Sequence, residues 1–247
     1  MPNPLLRIEE LGKSFNAVRA VDDVDIEVHQ GEVLGLVGPN GSGKTTLFSC
    51  VTGFLRPTSG RIYWKDQEIT RLAPDQNARR GIIRTFQQKM VFPRASVREN
   101  LDMAWGSRRN SNHGAFSNCD GVISFLGLEE FEDKLATDIP FGSARKLGMG
   151  LALAAGPALL LLDEPAAGLN TEESRELAGL IRRITALGVT VWVIEHDMAL
   201  VMSVSDRITV LDAGRKIAEG KPADIANDPS VISVYLGEKF AKSRQPQ

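Results

Sequence analysis

Apolar and polar positions along the 247 residues follow two rhythms, a period of two and a period near 3.6, and the change from one to the other marks the elements. Between Asp23 and Val28 acidic and apolar residues alternate, which puts Val24, Ile26 and Val28 on one face of a half-buried strand and predicts antiparallel sheet early in the chain. Val33 to Val37 is a short apolar run that opens into a glycine-rich turn and then a helix over Lys44 to Phe54. The turn cluster Pro57-Thr58-Ser59-Gly60 precedes Arg61 to Trp64, which is expected to return to the antiparallel sheet. Ser96 and Glu99 stand at capping-box spacing, so a helix is predicted from near Val97, opening a mainly helical middle section. Gly106 to Asp120 is polar and aperiodic and reads as surface loop. Leu159 to Leu162 runs apolar without alternation, as in a strand covered on both faces. Leu177, Leu180, Ile181, Ile184 and Leu187 keep helical spacing up to a stop at Gly188, and Val189 to Ile194 is a second buried strand. Ile208 to Leu211 and Arg215 to Ala218 flank Asp212-Ala213-Gly214 as a hairpin. Together these elements predict an α/β protein: a mostly parallel sheet with helices, an antiparallel N-terminal flank and a helical insertion in the middle.

Composition narrows the partners. With 29 basic and 31 acidic residues the formal charge is −2, which gives no electrostatic footprint for nucleic acid or an anionic membrane surface. The two cysteines, Cys50 and Cys119, have no zinc spacing and suit a reducing compartment. The N-terminal MPNPLLRIEELGK lacks an apolar core, so no export signal is expected. The longest apolar stretch, Met149 to Leu162, is broken by Gly150, Gly156 and Pro157 and falls short of the roughly 20 residues that cross a bilayer. Work at a membrane would therefore need another chain to span it.

Chemistry concentrates at three places. Gly38-Pro39-Asn40-Gly41-Ser42-Gly43-Lys44-Thr45 fits G-x-x-x-x-G-K-[ST], in which glycines let backbone N–H groups wrap phosphates at the start of a helix. Lys44 would lie against the β- and γ-phosphates, the Thr45 hydroxyl on Mg²⁺, and Thr46 beside them. The leucine run ends in Asp163-Glu164, which delivers two carboxylates to the C-terminal edge of a parallel sheet, where ligands gather. Asp163 would hold Mg²⁺ through water and Glu164 would act as general base on the attacking water. The second buried strand ends in Glu195-His196-Asp197, so His196 is either a capped strand end or, at the same sheet edge, a hydrogen-bond partner of the γ-phosphate.

The order of these segments resembles the ABC transporter ATPase family over nearly the whole chain: phosphate loop, Thr85-Phe86-Gln87, a helical insert with Gly142, Asp163-Glu164, Ala167-Gly168-Leu169-Asn170, then His196. The resemblance implies a P-loop NTPase fold with a RecA-like core, an antiparallel β subdomain and an α-helical subdomain. It would place one nucleotide-binding domain over residues 5–240, with the helical insert at about 90–155, and a frayed tail over 241–247. It implies that Gln87 senses Mg²⁺ and the attacking water in the loop leading to the membrane subunit, though alone it reads as an exposed glutamine. Phe15 matches the aromatic on which adenine stacks; the alternative is a core phenylalanine of the antiparallel lobe. Gly81 to Gln87, Glu164 to Asn170, Ile194 to Met198 and Val231 to Gly237 look like the ATPases of branched-chain amino-acid (Liv-type) importers, of which Asn170 is itself typical. Implied in turn are ATP and Mg²⁺, integral-membrane permease subunits, a second ABC ATPase in a hetero- or homodimer, indirectly an extracytoplasmic solute-binding protein, and a peripheral place on the cytoplasmic face of the inner membrane.

Two segments depart from the family pattern: the Gly106 to Asp120 loop of the insert, shorter and more polar than in the importers it resembles, and the signature. The signature usually written L-S-G-G-Q stands here as Ile139-Pro140-Phe141-Gly142-Ser143, with Pro140 removing both a hydroxyl and an N–H while suiting the start of a helix. Unequal sites in a heterodimer of two ATPases follow as an expectation. Import of urea or short amides and export of lipopolysaccharide are alternative transport readings. A DNA-repair or ribosomal ABC protein would need fused modules or coiled coils, and a P-loop kinase a lid and acceptor pocket; neither set is found in the sequence.

Overall fold

The computed structural model describes residues 4–85, 91–108 and 114–242. It opens with the antiparallel hairpin β1 (Leu6–Phe15) and β2 (Val18–Val28), turned at Asn16, whose φ of 51° is a left-handed conformation that asparagine tolerates. The alternation from Val24 to Val28 buries Val24, Ile26 and Val28, as the sequence pattern predicts. Next come β3 (Val33–Val37) and α1 (Lys44–Val51). The helix stops short of the expected Phe54, because the Thr52 hydroxyl caps the Phe48 carbonyl at 2.7 Å and Gly53 turns away at φ 83°. Strands β4 (Ser59–Trp64) and β5 (Gln67–Glu68) extend the first sheet in the order β2-β1-β4-β5.

Beyond α2 (Pro74–Arg79) and β6 (Ile82–Arg84) lies the helical insert of α3 (Val97–Gly106), α4 (Cys119–Leu126) and α5 (Phe141–Ala154). The Ser96 hydroxyl accepts the Glu99 N–H and Glu99 accepts the Ser96 N–H, the predicted capping box. Gly106 closes α3 and Cys119 and Asp120 open α4, so the expected loop is shorter at both ends.

The core sheet is completed by β7 (Leu159–Asp163), α6 (Thr171–Ala186), β8 (Thr190–Ile194), α7 (Met198–Val204), β9 (Arg207–Asp212) and β10 (Arg215–Gly220). Ala213 at φ 44° and Gly214 at φ 84° make the two-residue turn that a twisted hairpin favours. Helices α8 (Pro222–Ala226) and α9 (Pro229–Lys242) follow, and α9 takes in Ala241 and Lys242 from the expected tail. Among the described residues no helix is long and apolar enough to cross a membrane.

The second sheet runs β10-β9-β3-β8-β7-β6, parallel except for β10. Its two faces divide the core. Leu159, Leu161, Trp192 and Ile194 pack toward α1 and the antiparallel sheet, and Leu160, Leu162, Val191 and Val193 toward α5 and α6. Trp192 is fully buried, its ring edge-on to Phe48 at 4.9 Å between centroids. Arg207 ties the layers together, bonding the Glu27 carbonyl, Glu32 at 2.9 Å and Glu219 at 2.6 Å.

Candidate nucleotide site

The glycine loop lies between β3 and α1, and two of its glycines are fixed by space. A Cβ on Gly38 would meet the Leu211 carbonyl oxygen at 2.1 Å, and one on Gly43, at φ 100°, would meet that of Ala20 at 2.2 Å. Lys44 is 5% exposed, and its ammonium donates to the carbonyls of Gly38 and Pro39, each at 2.8 Å, and to the Ser42 hydroxyl at 3.3 Å. Its charge thus lies inside the curl of the loop. The first N–H bonded within α1 is that of Leu47, to the Gly43 carbonyl at 2.8 Å, so those of Lys44, Thr45 and Thr46 point along the helix axis toward the loop. Amides, helix dipole and ammonium converge on one point, the arrangement that holds a phosphate.

Four side chains from neighbouring strand ends, Arg84, Asp163, Glu164 and His196, gather at the same sheet edge. Asp163 ends β7 on the face that looks at α1, and its Oδ2 accepts from Arg84 Nη2 at 2.5 Å, both side chains being only 6% exposed. Arg84 Nη1 also donates to Ser49 Oγ at 3.0 Å, and Ser49 in turn to the Thr45 carbonyl at 2.7 Å. The guanidinium therefore joins β6, β7 and the helix that carries Thr45. Glu164 turns out of the strand with φ 48°, a left-handed conformation that costs a non-glycine residue roughly 1–3 kcal/mol. Its N–H bonds the Ile194 carbonyl at 2.9 Å, and its Oε1 lies 2.5 Å from His196 Nε2, which donates the bond. Glu164 and His196, which the sequence placed on separate strand ends, form a pair.

Phe15 ends β1 and is 44% exposed, with Lys13 Nζ 5.0 Å from its ring centre. The core alternative for Phe15 does not hold. Gln87 lies outside the described residues.

The donor set suits Mg·ATP. Among the described residues no group of three or more His, Cys, Asp or Glu could hold a metal ion alone. A magnesium ion at a nucleotide site takes one or two protein oxygens and completes its shell from phosphates and water, which the Thr45 hydroxyl and Asp163 carboxylate match. Opposite these groups a cleft of about 490 Å³ separates them from α5 and is lined by Thr85, Ile139, Arg145, Asp163 and Glu164. Pro140 stands immediately before α5 with φ −55° and no side-chain cap, Phe141 is 68% exposed, and the Arg145 guanidinium lies 5.5 Å from its ring. Arg145 also donates to the Ala167 carbonyl at 2.7 Å, linking the insert to the turn after Glu164. On the far side of that turn Asn170 caps α6, accepting from Glu172 and Glu173 at 2.9 and 3.0 Å.

Arg84, Arg145 and Glu195 belong to the site although no motif marks them. For Arg84 and Glu195 a signal was there: a charge next to a buried apolar run needs a buried partner.

A strand, a glycine loop and a helix for phosphate, with carboxylates and a histidine on adjacent strand ends, define a P-loop nucleoside triphosphatase. The family model described as "ABC transporter" matches residues 21–167, and that described as "Branched-chain amino acid ATP-binding cassette transporter" matches residues 215–241. The chain belongs to the ABC transporter family. It is 40% identical over 256 residues to the high-affinity branched-chain amino acid transport ATP-binding protein LivG of Escherichia coli, across 96% of this chain and 100% of that one. Identity is 37% to BraF, of the same description, from Pseudomonas aeruginosa, at 96% and 100% coverage. It is 34% to the lipopolysaccharide export system ATP-binding protein LptB of Acidithiobacillus ferridurans, at 96% and 98%. Among solved structures, an ATP-binding cassette of an ABC transporter in its ADP conformation superposes with a TM-score of 0.85 at 30% identity, covering 95% of this chain and 99% of that one.

Proposed function

We propose that this chain is the ATP-hydrolysing subunit of an importer for branched-chain amino acids, with residues 5–240 acting as one nucleotide-binding domain. The observation that carries the motor reading is the Glu164–His196 pair, 2.5 Å apart at the sheet edge that also holds the phosphate loop. In this reading the loop segment of residues 38–46 binds the phosphates through its free backbone N–H groups, those of Lys44 to Thr46 above all, and the Lys44 ammonium, and Phe15 stacks on adenine. Thr45 and Asp163 hold Mg²⁺, which when bound offsets charge on the β- and γ-phosphates. Glu164 takes the proton of the attacking water, His196 orients Glu164 and bonds the γ-phosphate, and Gln87 positions the same water. The family match supports work on membrane permease subunits, at whose cytoplasmic face the chain would sit peripherally, paired with a second ATPase and fed by an extracytoplasmic binding protein. The substrate class is supported by the 215–241 match and by the names of LivG and BraF.

The similarity to LptB supports a second reading, lipopolysaccharide export. Uptake of labelled leucine, with urea and a polar amino acid as controls, separates the readings in cells whose only copy carries Glu164→Gln. Loss of leucine uptake alone is the expected result. Normal leucine with failed urea entry replaces the solute, and normal entry of all three replaces import with export.

A further inference from the structure

Strands β7 and β8 deliver a third carboxylate to the sheet edge, and the chemistry above leaves it without a task. Glu195 precedes His196 and is 3% exposed. Its Oε1 accepts the N–H of Ala166 at 2.5 Å and its Oε2 the N–H of His196 at 3.0 Å. Ala166 is two residues beyond Glu164, in the turn that must hold Glu164 at φ 48°. We propose that Glu195 is a positioning residue for Glu164, its carboxylate pinning the turn after β7 to the end of β8 so that Glu164 stays in its left-handed conformation and within reach of His196.

Three bonds cross between the two strand ends and form a ladder: the Glu164 N–H to the Ile194 carbonyl, Ala166 to the Glu195 carboxylate, and His196 to the Glu164 carboxylate. Without the middle rung this ladder to β8 keeps the backbone bond at its base and the side-chain pair that the turn has to aim, while Arg145 holds Ala167 from the side of the insert. Both Glu195 oxygens face N–H donors, so the position requires two acceptors. Glutamine has the same shape but one acceptor and one donor, and its NH₂ would meet an N–H. Burial raises the Glu195 pKa, and the N–H groups of Ala166, His196 and Asp197 work against that rise. A buried carboxylate is a costly filler where packing alone would accept a neutral side chain, and its acceptors explain its presence.

This inference rests on Glu164 being the general base, and the test separates the two. Steady-state ATP hydrolysis is measured for the full-length chain assembled with its membrane subunits, as Glu195→Gln, Glu195→Asp and Glu164→Gln, alongside the affinity for a fluorescent ATP analogue. Glu195→Gln is expected to lower kcat by about ten- to a hundredfold, the effect of one charged buried hydrogen bond, with KM and analogue affinity within about twofold of the parent. Glu195→Asp keeps both acceptors one methylene short and is expected to recover part of kcat; if the glutamine variant does not fold, the aspartate variant is expected to show the same split between kcat and affinity. Parental kcat in Glu195→Gln beside a dead Glu164→Gln overturns the positioning role alone, as does an equal fall of kcat and affinity. Undiminished hydrolysis in Glu164→Gln overturns the reading of Glu164 itself.

Discussion

At the scale of single residues, the proposed nucleotide site contains the buried Arg84–Asp163 ion pair, each side chain 6% exposed. Lys44, Asp163, Glu164 and His196 are announced by motifs, because phosphate and water chemistry allows few residue types at few spacings. Arg84 has no motif of its own, since its partner is 79 positions away in the chain and is set by the pairing of β6 with β7. That ion pair is buried, so removing one member leaves an uncompensated charge. Arg84→Met is expected to destabilise the chain by about 3–5 kcal/mol, read as a lower denaturant midpoint at unchanged slope. Adding Asp163→Asn to that variant should restore much of the loss, since no unpaired charge then remains. A double variant no more stable than Arg84→Met would show that the guanidinium acts through Ser49 instead.

At the scale of elements, period and caps located β2 to β4, β7 to β10, α1, α3 and α6, with errors at their ends, while α4 and α5 were legible only as part of a helical middle section and β1, β5, β6, α2 and α7 to α9 were not read. Helix α1 stops early because the Thr52 hydroxyl and Gly53 act against an apolar pattern that continues through Phe54 and Leu55. The docking of α5 on the turn after β7 was beyond sequence reading, since it depends on contacts such as Arg145 to Ala167 that no local pattern encodes. The start of α5 is where function and local structure disagree. Pro140 suits the position before a helix but presents neither hydroxyl nor N–H, and in the proposed pairing with a second ATPase this end of α5 would face the nucleotide held by that partner. Pro140→Ser is expected to raise ATP turnover of the assembled transporter roughly threefold or more, with little change in the thermal midpoint. An unchanged rate would mean that the partner's nucleotide does not depend on this helix start.

For the whole molecule, the fold class was legible because the two sheets have different rhythms, alternating in β2 and continuous in β3, β7 and β8. The strand order was not, because sequence gives no rule for which buried strand lies beside which. That order sets the site: β3 lies between β8 and β9, so the loop after it opens beside His196, and β7 brings Asp163 and Glu164 one strand further along. The loop itself carries a liability of another kind. Asn40 and Gly41 are exposed, Gly41 takes φ 80°, and nothing lies within 4 Å of where its Cβ would be. An asparagine followed by an unhindered glycine is a favourable setting for the backbone nitrogen to attack the side-chain amide, which ends in aspartate or isoaspartate. In this loop the product would set a negative charge among amides arranged for phosphate, and ATP binding is expected to fall as it accumulates. Stored preparations should lose ATP binding in step with the small mass gain of amide-to-acid conversion on the Asn40 peptide, and Mg·ATP in the storage buffer should slow both.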